Sequence, residues 1–385
     1  MTATSFSLTK RDKPLRILST SDWHLGNPRV PAGNICDRLR HYMFPLLEQT
    51  DLLNIGGDVW DTLMTLNDET NVIVSFLIDL LRMCHVNNVT VRVLLGTFSH
   101  DRDQSSVFEI YQKKCHFTND LRYISKVYLE EIESLNVRIL YLPDDLPYES
   151  SEACLEAVSD MMKTRGWTWV DYVFGHGYFQ HMLPKNIPRE PKCTFRVSQF
   201  TPWVRRYILM GHIHLSDQTQ NVIYNNSFDR LAHGEEASKG CLYIEDSGDM
   251  AKLKIIDNPD ATKFVTLDLT KETDPEKVGD LYLSLVKQKF QGIPGYVRVV
   301  HPSAEIRQSL HRLTNSRHPE LFYSFRQTPH DVVNEARLTV RKSFDVVEYP
   351  TPTEHTLPKM VFDYLEANGG SKINPDRITP ILNDL

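Results

Sequence analysis

The chain has 385 residues, too many for one ordinary hydrophobic core, so two domains and a tail are expected. A formal net charge of −7 argues against a broadly basic nucleic-acid-binding surface, and no apolar run approaches the ~20 residues that span a bilayer. The six cysteines (Cys36, Cys84, Cys115, Cys154, Cys193 and Cys241) form no C-x-x-C pair, and the polar start of the chain lacks a signal-peptide core; both readings favour reduced thiols and a cytoplasmic location.

In chain order, short apolar runs end at polar motifs. Leu15 to Leu18 leads to Asp22-Trp23-His24, and Leu52 to Ile55 leads to Gly57-Asp58-Val59-Trp60-Asp61. Val89 to Leu95 leads to Gly96 and then Ser99-His100-Asp101. Val137 to Leu142 stops at Pro143, Tyr172 to Phe174 leads to Gly175-His176-Gly177, and Tyr207 to Met210 leads to Gly211-His212-Ile213-His214. Nearly continuous apolar runs of this length fit strands buried on both faces. Helical patterns lie between them at Asn34 to Gln49, Glu69 to Val86 and Glu152 to Arg165. Such alternation predicts an α/β core, in which ligands collect beyond the carboxyl ends of the strands. The motifs are therefore expected to converge.

After Asp257-Asn258-Pro259-Asp260 the order becomes strand (Phe264 to Leu269), helix (Asp274 to Phe290), strand (Tyr296 to Val300), helix (Ala304 to Ser316) and a third strand at Leu321 to Phe325. This divides the chain into a core at 1–260, a small second domain at 261–345, and a linker with a C-terminal segment at 346–385 that includes a short helix at Met360 to Ala367.

Mixed carboxylates and imidazoles suit divalent transition metals. In extended chain Asp22 and His24 share a face, so both can reach one ion. Asp58 has two oxygens and can bridge two ions, whereas Asp61 is expected to anchor its loop. His100 beside Asp101 reads as an imidazole oriented by an acid, able to give a proton to a departing oxygen. Taken singly, D-x-H, a turn aspartate and a loop histidine are commonplace; Gly211-His212-Ile213-His214 directly after a strand is the most specific element. Local basic groups (Arg196 with Arg205 and Arg206, Lys113 with Lys114, and Arg337 with Arg341 and Lys342) could hold phosphates, although solvated surface charge is the plainer reading of any one of them.

The order D-x-H, GD, HD, GH, GHxH resembles the calcineurin-like metallophosphoesterases over roughly residues 15 to 245. Within that superfamily the chain looks like the SbcD-type nucleases of double-strand-break repair, phage-encoded members included. Tyr224-Asn225-Asn226-Ser227-Phe228-Asp229-Arg230, then Glu235-Glu236 and Lys239-Gly240, are similar to that branch, as is the small domain after residue 260. The resemblance implies a four-layer α/β/β/α sandwich with an α+β capping domain that binds DNA. It implies two divalent ions, manganese before magnesium, with Asp22, His24 and His214 on the first, Asp58 bridging, and His176 and His212 on the second. It makes His100 catalytic with Asp101 in support. Where the family reads Gly-Asn-His-Asp this chain has Phe98-Ser99-His100-Asp101, which puts Ser99 in the place of an asparagine ligand of the second ion.

The implied activity is 3′ to 5′ exonuclease action on duplex DNA ends with endonuclease action on single strands or hairpins. The implied partners are a second copy and an SbcC-type ATPase carrying the P-loop (G-x-x-x-x-G-K-[ST]) that this chain lacks, docked near Asp331 to Leu385. Two rival readings share the motifs: a phosphatase or cyclic-nucleotide phosphodiesterase, and a DNA-end-binding scaffold weakened at Ser99.

Overall fold

A computed structural model describes residues 13–326 except 66–67, 145, 184–190, 292, 302 and 319–320. The expected C-terminal linker, the Met360 to Ala367 helix, the Asp331 to Leu385 docking segment and the Arg337, Arg341 and Lys342 group lie outside the described residues.

The first half of the core contains β1 (Leu15–Thr20), α1 (Ala32–Leu47), β2 (Leu52–Ile55), α2 (Asp68–Val86) and β3 (Thr90–Leu94). It continues through the short α3 (Phe98–Asp101), α4 (Val107–Lys114) and β4 (Leu121–Ile124). The second half begins with β5 (Tyr128–Ile132), β6 (Val137–Leu142), α5 (Ser151–Thr164) and β7 (Tyr172–His176). Then come β8 (Tyr178–Phe179), β9 (Thr194–Phe195), α6 (Val197–Phe200), β10 (Ile208–Gly211), β11 (Asp217–Thr219), β12 (Val222–Tyr224), β13 (Gly240–Asp246) and β14 (Ala251–Asp257).

Two six-stranded sheets result, in the orders β14-β13-β1-β2-β3-β4 and β11-β12-β10-β7-β6-β5. Strands β1 to β4 run parallel, as do β12, β10, β7 and β6; the flanking strands are antiparallel. Three apolar clusters explain the layering. Leu18, Leu53, Val91 and Val93 of the first sheet pack with Ile35, Leu39, Phe76 and Leu80 of α1 and α2. Ile17, Leu52, Tyr141, Phe174, Leu209 and Ile244 fill the space between the sheets. Leu140, Val173 and Met210 pack with Cys154, Val158 and Met162 of α5. Each sheet buries both faces, which is why its central strands read as apolar runs rather than alternations. The arrangement is an α/β/β/α sandwich.

A third, parallel sheet follows, built from β15 (Lys263–Asp268), α7 (Pro275–Phe290), β16 (Gly295–Val300), α8 (Ala304–Arg317) and β17 (Leu321–Arg326). Helix α7 starts where Asp274 accepts from the Glu276 amide and Pro275 opens the first turn. Val278, Tyr282 and Val286 of α7 meet Val297 and Val299 of β16. On the opposite face, Phe264 stacks on Tyr296 with centroids 4.6 Å apart. The Tyr296 hydroxyl donates to the Arg29 carbonyl, which ties this sheet to the loop after β1.

Arg205 and Arg206 do not form an open basic patch. The Arg205 guanidinium lies 3.6 Å from Asp171 and over Trp169, and Arg206 lies 3.4 Å from Asp246. None of the six cysteines is in a disulfide, and four are buried. Among the described residues no helix is long and apolar enough to cross a membrane.

Candidate metal centre

The parallel strands of both sheets deliver their carboxyl ends to one place. Asp22 and His24 follow β1, Asp58 follows β2, His176 ends β7, and His212 and His214 follow β10. The turns are tied together by backbone hydrogen bonds from the Asp22 amide to the Gly57 carbonyl and from the His24 amide to the Asp58 carbonyl. Asp22, His24, Asp58 and His212 all have positive φ, at 53°, 47°, 49° and 86°. Non-glycine residues rarely adopt this region, and such strain concentrates where side chains must be aimed.

Glycines permit the close approach. A Cβ on Gly96 would lie 2.1 Å from the Asp58 amide nitrogen and 2.3 Å from its carboxylate. Gly96→Ala is therefore expected to push Asp58 out of place and to lower stability by about 1–3 kcal/mol. Denaturant unfolding checks this, and an unchanged midpoint would contradict it.

Among the described residues, three groups of side chains offer ligand atoms within 4.8 Å of one another: Asp22 with His24 and His214, Asp58 with His176 and His212, and His24 with Asp58 and His100. Asp58 joins the first pair of groups. Its Oδ2 lies 3.6 Å from His24 Nε2 and 3.3 Å from His176 Nε2.

Hydrogen bonding on the outer side of each ring shows that these residues suit cations. His24 Nδ1 pairs with Asp61 at 3.1 Å and His214 Nδ1 pairs with Glu235 at 3.0 Å, so each Nδ1 carries hydrogen. In neutral rings both Nε2 atoms then carry lone pairs, yet they face each other at 3.1 Å. A proton or a cation must stand between them. His176 Nδ1 donates to the Gly56 carbonyl at 2.7 Å, and its Nε2 lies 3.2 Å from His212 Nδ1. Carboxylates and carbonyls behind histidines are the usual orienting partners of metal-binding imidazoles. These buried groups can bind divalent cations.

Protonation follows the same logic. Burial pushes the Asp58 carboxyl up, but the charges of His176, His24 and His100 outweigh it and hold it well below the usual range. Burial disfavours the His176 cation, and Asp58 overcomes this to raise its pKa well above that of a free imidazole. Burial and the neighbouring His176 press His212 down to about 3. His214 is desolvated too, yet Glu235 and Asp22 push it up to about 10. The site gathers positive charge around two buried carboxylates, the role divalent cations would take.

Two expected residues sit differently from their sequence reading. Asp101 does not touch His100. It is fully buried, and its carboxylate accepts from the backbone amides of Asp58, Trp60 and Gly96 at 3.0, 3.0 and 2.8 Å. Burial and the charge of Asp58 push it up to about 7. It braces the two loops, while His100 Nδ1 donates to the Asp61 carbonyl at 2.6 Å. Ser99 is exposed on α3, the helical turn that begins at Phe98. The hydroxyl that reaches the second group is that of Thr97, 3.1 Å from His212 Nδ1 and 3.2 Å from Asp58 Oδ2.

Glu235 enters the sequence reading only through the resemblance, with no role attached. It lies 21 residues beyond His214 in the chain, so spacing alone gives no signal. It orients His214 and accepts from the buried Lys239 ammonium at 3.0 Å, which in turn donates to the His214 carbonyl at 2.7 Å. Burial raises the Glu235 carboxyl, but His214 and Lys239 outweigh it and hold it at about 2. Glu235→Gln keeps the shape and removes the charge; it should weaken cation binding at Asp22, His24 and His214 about 10–100-fold. A manganese titration by calorimetry reads this directly, and unchanged affinity would contradict it.

No family model matches the chain. Among solved structures it overlays on the TT1561 protein of Thermus thermophilus at 9% identity, covering 63% of this chain and 99% of that one, with a TM-score of 0.37. It overlays on the cold-active protein-tyrosine phosphatase of the psychrophile Shewanella sp. at 11% identity, covering 62% and 80%, with a TM-score of 0.27. At these scores the likenesses do not bear on the chemistry of the site.

Proposed function

We propose that the chain is a two-metal phosphoester hydrolase, and in finer terms a manganese-dependent DNA nuclease of SbcD type. The observation that carries the first statement is Asp58, whose carboxylate lies 3.6 Å from His24 of one group and 3.3 Å from His176 of the other. Divalent cations held there supply Lewis-acid activation of water and of the scissile phosphate.

The chain's own residues then have separate tasks. Asp22, His24 and His214 would hold one ion and His176 and His212 the other, with Asp58 able to serve both. Asp61 and Glu235 set the ring orientations of His24 and His214. His100 spends its Nδ1 hydrogen on the Asp61 carbonyl, which leaves Nε2 to carry a proton to the departing oxygen. Asp101 holds the Asp58 and Gly96 turns together.

The finer reading rests on the motif order and on the third sheet beside the loop after β1. It extends to DNA ends and single strands as substrates, to a homodimer, to an SbcC-type ATPase docked on the C-terminal segment, and to work in the cytoplasm. A phosphomonoesterase would use the same ligands. The deciding experiment compares end-labelled duplex and single-stranded DNA with small phosphate monoesters, in manganese, magnesium and EDTA. Manganese-dependent DNA cleavage supports the nuclease; monoester turnover without DNA cleavage assigns a phosphatase instead. For the partner, removal of residues after 350 should abolish co-purification with the ATPase, and retained binding would refute that docking site.

A further inference from the structure

A threonine at a helix N-cap ordinarily turns its hydroxyl onto the first free amides of the helix. Thr97 is the N-cap of α3, with φ −59° and ψ 122°, and its side chain makes no such bond. Its hydroxyl faces the other way, into the second group of ligands. Oγ1 lies 3.1 Å from His212 Nδ1, 3.2 Å from Asp58 Oδ2 and 3.5 Å from His176 Nε2. The Thr97 amide also donates to Asp58 Oδ1 at 2.5 Å, so backbone and side chain both close on the same carboxylate. Gly96 makes this possible, since any side chain there would collide with Asp58.

The hydroxyl proton can go to only one neighbour, Asp58 Oδ2, whose carboxylate accepts it. The oxygen, in contrast, has lone pairs of its own to offer an ion shared with those three side chains. Hydroxyl oxygens of serine and threonine are suitable ligands for hard divalent cations, as in phosphate-binding loops that hold magnesium.

We propose that Thr97 is the fourth protein ligand of the second cation site, and that this makes the two sites unequal. The first site would have two carboxylates, Asp22 and the shared Asp58 that lies 3.6 Å from His24, with His24 and His214. The second has the shared Asp58, His176, His212 and a neutral hydroxyl. With less negative charge and a weaker fourth donor, the second site fills at higher metal concentration. The chain therefore passes through a singly loaded state as manganese falls. This assignment rests on the two-metal reading above.

The test is a manganese titration of the full chain, with free ion followed by electron paramagnetic resonance, for wild type, Thr97→Val, Thr97→Ser and Ser99→Ala. Wild type should bind two ions in two resolvable classes. Thr97→Val should weaken the looser class by about tenfold or more and spare the tighter one. Thr97→Ser, which keeps the hydroxyl, should restore it, and Ser99→Ala should leave both classes unchanged. If valine disturbs the fold and both classes go, the serine variant decides: retention of the looser class supports a hydroxyl ligand, and its loss overturns it. Unchanged binding in Thr97→Val, or weakened binding in Ser99→Ala, would overturn the assignment of Thr97 alone. Failure of wild type to bind manganese at all would overturn the two-metal reading together with it.

Discussion

Asp58→Asn will abolish phosphoester hydrolysis, with a loss of at least about 10³-fold, while leaving the chain folded. The substitution keeps the side-chain shape and one carbonyl oxygen, so the hydrogen bond from the Thr97 amide can survive. What it removes is the negative charge that faces His24 at 3.6 Å and His176 at 3.3 Å. Each cation would lose a shared anionic ligand, and an amide oxygen cannot bridge two ions as a carboxylate does. The measurement is turnover with the preferred ester at saturating manganese, together with manganese stoichiometry. Activity within tenfold of wild type would refute Asp58 as the bridge.

His100→Ala will separate cation binding from proton transfer. His100 lies with its ring centroid 5.0 Å from that of His24 and is anchored by the Asp61 carbonyl rather than by a carboxylate. Removing it should lower turnover of an unactivated diester by about 10²–10⁴-fold and leave manganese stoichiometry at the wild-type value. With a nitrophenyl ester, whose leaving group needs no proton, the loss should shrink to a small factor. Equal losses on both substrates would contradict a proton-donor role and favour a binding role instead.

Much of this is legible in the residues. The apolar runs at Leu15, Leu52, Val89, Val137, Tyr172 and Tyr207 each contain or become a central parallel strand, because burial on both faces leaves an unbroken apolar signature. The β-α-β-α-β order after residue 260 is legible because helices α7 and α8 carry clear periodicity and caps. Less visible is the edge strand β14. In β14 polar and apolar residues alternate with much exposure, so no compact run marks it.

At the site, the histidines and aspartates that converge can be found because each follows a strand. Thr97 cannot, since a threonine after a glycine has no distinctive spacing, and counting back from His100 points to Ser99 instead. The helical turn at Phe98–Asp101 breaks that count: it turns Ser99 to solvent and leaves Thr97 at the strand exit. Asp101 misleads for a related reason. Adjacency in sequence to His100 suggests a pair, but a helical turn sends neighbouring side chains in different directions, and Asp101 points inward to backbone amides.

The most direct test is anomalous diffraction from crystals grown with manganese, collected at the manganese edge. Two peaks ~3.5–4 Å apart should appear on either side of Asp58, one against Asp22, His24 and His214 and the other against His176, His212 and Thr97. A single peak, or peaks that leave Asp58 outside the contact distance of both ions, would contradict the bridged two-metal centre.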